Sequence, residues 1–80
     1  NKFYPKRARR MKREGEVLVE FVIDKDGVLS SIRVDKTSGV SMLDEAAADA
    51  VRNLGRFKPF PSEIKRQQWQ MRIPINFALM

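Results

Sequence analysis

The sequence contains no cysteine and no histidine. The first absence rules out disulfide stapling, so an apolar core must hold the fold by itself. Together the two absences remove zinc sites of the usual kind, thiol nucleophiles and imidazole bases. There is also no apolar run of about 18 residues, the length a bilayer-spanning helix needs. Basic residues open the chain but no apolar stretch follows them, so a secretory leader is not expected. The chain opens at Asn1 rather than at a methionine and enters patterned sequence almost at once. It is therefore expected to be a segment of a longer protein.

Eighty residues are enough for one domain, expected over 1–80, and not for two. A chain of this size buries roughly 60% of its unfolded surface. A pocket of enzyme depth is hard to carve from so small a core, so the working surface is expected to be an edge, a face or a groove. No enzymatic activity, cofactor or metal is expected. The net charge of +6 is unevenly spread. Lys2, Lys6, Arg7, Arg9, Arg10, Lys12 and Arg13 face a single acid, Glu14, in the first fifteen residues, and the remainder of the chain is balanced. Such a cluster suits nucleic acid, anionic lipid or an acidic protein surface.

Tyr4-Pro5 opens a short helical pattern in which Tyr4, Ala8 and Met11 share a face, and Gly15 ends it. Val17, Val19, Phe21 and Ile23 then alternate strictly, the mark of a strand. Asp24-Lys25-Asp26-Gly27 is a turn, and Val28, Ser30, Ile32 and Val34 form one face of a second strand, completing a hairpin. Ser41 with Asp44 three residues on predicts a helix cap. The apolar stripe from Met42 and Leu43 through Ala46, Ala47, Ala50 and Val51 to Leu54 predicts an amphipathic helix closed by Gly55. Phe57, Pro59, Phe60 and Pro61 make a rigid apolar connector. Finally, Trp69, Met71, Ile73, Ile75, Phe77 and Leu79 alternate as a last strand, with the odd-numbered residues expected beneath the helix. Pro74 lacks a ladder donor, so this strand belongs at an edge with Pro74, Arg72 and Asn76 directing their backbone outward. The order helix, strand, strand, helix, strand gives an α+β fold: a three-stranded antiparallel sheet with two helices on one face.

Rival chemistries are weaker. Asp24 and Asp26 match only the start of a calcium loop, with no closing Glu, and a hairpin turn explains them better. Asp44, Glu45 and Asp49 lie early on a helix, where negative charge suits the dipole. The serines have no imidazole partner and no nucleophile-elbow context. The basic segment lacks an aromatic stacking platform, since Phe21, Phe57, Trp69 and Phe77 fall on core faces. A nucleic-acid-binding domain therefore ranks last, and no nucleic-acid partner is expected.

Several short motifs occur in one order along nearly the whole chain: Tyr4-Pro5 with Ala8, Glu14-Gly15-x-Val17-x-Val19-x-Phe21, Asp26-Gly27-x-Leu29, Ser38-Gly39, Leu43-Asp44-x-Ala46-Ala47-x-x-Ala50-Val51, Phe57-x-Pro59-x-Pro61 and Pro74-Ile75-x-Phe77. In combination they resemble the TonB C-terminal domain family of periplasmic energy transducers. A TolA-like envelope-spanning interaction module is the alternative, and it lacks the Tyr-Pro and Glu-Gly pattern. The resemblance implies a periplasmic domain of a protein anchored in the inner membrane and coupled to the proton gradient through ExbB and ExbD. It further implies that the domain grips the TonB box of outer-membrane transporters for siderophores, metals or vitamins. The box would add as a strand beside Gln70, Met71, Arg72, Ile73, Pro74, Ile75, Asn76 and Phe77. Asn1, Tyr4, Pro5, Arg7 and Arg10 would lie near the transporter. The open strand edge also makes a homodimer of the fragment an expectation.

Overall fold

Val17, Val19, Phe21 and Ile23, the strictly alternating set, are all buried along one face of the central strand β1 (Gly15–Asp24). The computed structural model describes residues 3–79. In chain order it contains α1 (Lys6–Arg10), β1, β2 (Leu29–Lys36), α2 (Ser41–Arg52) and β3 (Gln68–Phe77). The three strands form one antiparallel sheet in the order β2-β1-β3. The expected architecture of a helix-covered three-stranded sheet is therefore the one observed.

The β1–β2 turn is closed by its first residue. Asp24 Oδ1 accepts hydrogen bonds from the backbone N–H of Asp26 (2.9 Å) and Val28 (3.0 Å), the local bonding that favours Asp in turns. Gly27 takes φ +84, and a Cβ there would lie 2.0 Å from the Phe57 carbonyl oxygen. This contact docks the connector onto the hairpin: Phe57 N–H donates to Gly27 O (2.9 Å) and Phe60 N–H to Lys25 O (3.0 Å).

Two details of β2 depart from simple alternation. Register shifts occur between Leu18 and Val19 and between Val22 and Ile23 on β1. The second sets Ile23 against Leu29, so Leu29 joins the core while Val28 is exposed. The expected face Val28-Ser30-Ile32-Val34 is thus corrected to Leu29-Ile32-Val34. The physical reason is a β-bulge, which inserts one residue and exchanges the faces on one side of it.

α2 buries Leu43, Ala47, Ala48, Ala50 and Val51. It lies over β1 and β2, and its small residues allow close approach. Ser41 is not the cap. The cap position is Val40, which has no capping side chain, and Asp44 instead braces the preceding loop. Asp44 Oδ1 accepts from Ser38 N–H (2.9 Å) and Ser38 Oγ (2.7 Å), while Thr37 Oγ1 donates to Oδ2. Leu54, expected to extend the apolar stripe, lies past the helix end and is 55% exposed.

In the α1 segment Tyr4 and Ala8 are buried and Met11 is exposed. Met11 caps α1 at its C-terminal end, after which Lys12 turns the chain with φ 54. The Tyr4 ring meets Phe77 edge-on at 5.2 Å, and its hydroxyl donates to the Arg13 carbonyl. Burial raises the Tyr4 hydroxyl's pKa, with Glu14 adding to the rise and Arg9 opposing it. Phe57 stacks on Phe21 at 5.6 Å, which brings the connector into the core.

Candidate peptide-binding edge

The sheet has two outer strands, and their edges differ. β2 departs from regular pairing at two bulges, and bulged edges are poor templates for a further strand. β3 pairs with β1 through ten consecutive residues, from Gly15 opposite Phe77 to Asp24 opposite Gln68, without a shift. Its other side carries no strand among the described residues.

The backbone direction along that edge follows from the register. Asp24 N–H bonds toward β2, at Val28 O, and Lys25 N–H bonds toward the β3 side, at Gln67 O. Alternation along β1 then turns the backbone groups of Val17, Val19, Phe21 and Ile23 toward β3. Their partners Ile75, Ile73, Met71 and Trp69 are the inward-bonding residues of β3. Gln70, Arg72 and Pro74 direct their backbone groups outward. Pro74 stands opposite Leu18, at a position where its missing N–H breaks no bond to β1.

The face opposite the helices carries a charged ladder built across the same register. Glu20 lies between Arg33 on β2 and Arg72 on β3. Arg33 Nε donates to Glu20 Oε1 (3.2 Å) and Arg33 Nη2 to Oε2 (2.9 Å), a two-pronged contact. Arg72 Nε stands farther off, 3.4 Å from Glu20 Oε2 and 3.6 Å from Asp35 Oδ2. Glu20 is the one buried charged residue among those described. The Arg33 hydrogen bonds hold its carboxyl below the usual carboxylate value. Burial opposes that shift, and Gln70 and the charge of Arg72 assist it.

On the helix face, the seating of α2 over β1 and β2 leaves a groove of about 360 Å³ beside β3. Ile73 and Ile75 form its floor, Ala50 and Leu54 its far wall, and Phe3, Pro74 and Asn76 complete it. The same seating explains why Trp69 (43% exposed) and Met71 (37% exposed) are not core residues, as their alternation predicts, but open to solvent. Trp69 packs edge-on against Phe60 at 5.6 Å.

The expected peptide-binding residues therefore divide by role. Gln70, Arg72 and Pro74 offer outward backbone, while Met71, Ile73 and Ile75 present side chains on the helix face. Asn76 borders the groove. Phe77 is fully buried and bonds inward opposite Gly15, so it supports the edge without reaching a ligand. Among the expected transporter contacts, Tyr4 is likewise buried and acts as an anchor against Phe77. Arg7 and Arg10 are exposed and Pro5 is half-buried, whereas Asn1 lies outside the described residues. Sequence reasoning missed Phe3, Ala50 and Leu54 as groove residues. The signal available was Leu54 itself, a large apolar residue one turn beyond Ala50 and next to the helix-ending Gly55.

The model of the family described as Gram-negative bacterial TonB protein C-terminal matches residues 1–79. Protein TonB of Pasteurella multocida is 35% identical over 79 residues, covering 99% of this chain and 30% of the relative. Protein TonB of Haemophilus influenzae is 44% identical over 71 residues, covering 84% of this chain and 26% of the relative. The chain thus spans less than a third of the length of these curated relatives. The solution NMR structure of a Helicobacter pylori TonB-CTD superposes with TM-score 0.81 at 35% identity, covering 96% of this chain and 68% of that one. A shorter fragment of the same domain superposes with TM-score 0.72. The chain belongs to the family of C-terminal domains of the Gram-negative bacterial TonB protein.

Proposed function

We propose that this chain is the periplasmic C-terminal part of an inner-membrane energy transducer, and that it grips the TonB box of outer-membrane transporters by taking it as a fourth strand on β3. The observation that carries this reading is the contrast between the two edges: ten regular residues on β3 against a twice-bulged β2. Main-chain pairing gives affinity that tolerates sequence differences, as one domain serving several transporters requires. In this reading ExbB and ExbD engage other parts of the longer protein and supply proton-motive force, and the cargo is a siderophore, metal or vitamin. The domain itself works by binding, without catalysis or a cofactor. The exposed cations of the α1 segment approach the transporter first, and the same β3 edge admits a second copy of the chain at high concentration.

The test is titration of the isotope-labelled chain with TonB-box peptides, followed residue by residue by NMR. The largest amide shifts are expected from Gln70 to Ile75. Shifts confined to β2 or to the hairpin turn would overturn the reading.

A further inference from the structure

We propose that the groove between α2 and β3 is a side-chain subsite for the added strand, selective for aliphatic residues, with Leu54 as its specificity-determining wall. The inference rests on the strand-addition reading and says which face of the incoming strand is read, and by what.

The chemistry of the lining favours an aliphatic occupant. Ala50, Leu54, Ile73, Pro74 and Ile75 are apolar, Phe3 closes one end, and no charged residue contributes. Three other grooves on the described surface each include at least one carboxylate. A volume of about 360 Å³ equals the space of roughly a dozen water molecules, which is room for two aliphatic side chains.

Continuity with the β3 edge fixes the occupant's position. The groove floor, Ile73 and Ile75, flanks the outward-bonding residue Pro74. In a strand laid along this edge, alternate side chains fall on the helix face beside Ile73 and Ile75. The intervening ones fall on the other face, beside Gln70 and Arg72. The preferred segment therefore carries aliphatic residues two positions apart, with polar residues between them. Leu54 controls the fit because it is the most exposed large apolar residue described (55%) and stands across the groove from the floor. A side chain seated there covers apolar surface on Leu54 and on itself.

The probe is an acetylated, amidated heptapeptide of alternating Thr and Val, compared with an analogue in which every Val is Ala. Binding is read from amide and methyl shifts of the parent chain and of Leu54→Ala, an exposed-site change that leaves the core intact. The parent is expected to favour the Val peptide by about tenfold, with the Leu54 and Ala50 methyl signals moving on binding. Leu54→Ala is expected to reduce that preference to about threefold or less. If both peptides bind at β3 but the preference is the same in Leu54→Ala, the subsite is overturned and strand addition stands. If neither peptide shifts the β3 amides of the parent, both fall together.

Discussion

Pro74 stands directly opposite Leu18 at the middle of the β1–β3 ladder, and this pairing puts the one residue of β3 that lacks an N–H where β1 does not need one. Two residues before it, Arg72 directs its N–H outward. Arg72→Pro should delete an outward donor, and Arg72→Ala should remove the contacts to Glu20 and Asp35 while keeping that donor. Peptide affinity should be about fivefold lower for the proline variant than for the alanine variant, the equivalent of one hydrogen bond of about 1 kcal/mol. Equal affinities in two folded variants would count against backbone pairing at this edge.

Gly27 and Gly39 have nearly the same backbone conformation, φ +84 and +85, but different surroundings. A Cβ at Gly27 meets the Phe57 backbone, and one at Gly39 meets nothing within 4 Å. Gly39→Ala should cost about 1 kcal/mol, the left-handed penalty alone. Gly27→Ala should cost well above about 2 kcal/mol, because the connector must also move away from the hairpin. Urea denaturation of the two variants measures the difference.

Acid should unfold this domain partly through two named carboxyls. Glu20 is held below its usual value of 4.5 by Arg33. Asp44 is held below 3.8: burial pushes it up, but hydrogen bonds from Thr37 and Ser38 outweigh that. A carboxyl with a lowered folded pKa adds stability above its unfolded pKa and loses that contribution as pH falls through the folded value. Stability should therefore decline as pH falls below about 4.5 for Glu20 and below about 3.8 for Asp44. Glu20→Gln and Asp44→Asn should be less stable than the parent at neutral pH and show a shallower acid limb in thermal melts.

The basic segment should act on approach more than on holding. Lys6, Arg7 and Arg10 are exposed, and attraction between exposed charges is screened beyond about 8 Å at physiological salt. Arg7→Gln with Arg10→Gln should lower the association rate with a TonB-box-bearing transporter and flatten its dependence on salt, with little change in dissociation. Stopped-flow association over a range of salt concentrations is the measurement. An unchanged salt slope would exclude this role.

Much of this architecture is legible in the sequence because two strands keep a strict period of two. Val17 to Ile23 and Trp69 to Phe77 specify their elements and their shared face. What escapes is set by relations between elements. Leu29 replaces Val28 in the core because of a bulge, which no local pattern announces. Asp44 reaches back to Ser38 because the 37–39 loop folds over the start of α2. Trp69, Met71 and Leu54 are exposed because α2 sits toward β2, and hydrophobic periodicity carries no information on that sideways placement. The Glu20 ladder likewise requires the register of both neighbouring strands, although each member sits on an alternating position. Within the candidate site, Pro74 marked the edge directly, while the groove beside it needed the helix in place.

The Tyr4–Phe77 contact also has a mechanical meaning. Tyr4 is buried near the start of the described chain, and Phe77 is the last residue of β3. The pair clamps the start of the described chain to the end of its last strand, so neither can fray without stripping the other of its aromatic cover.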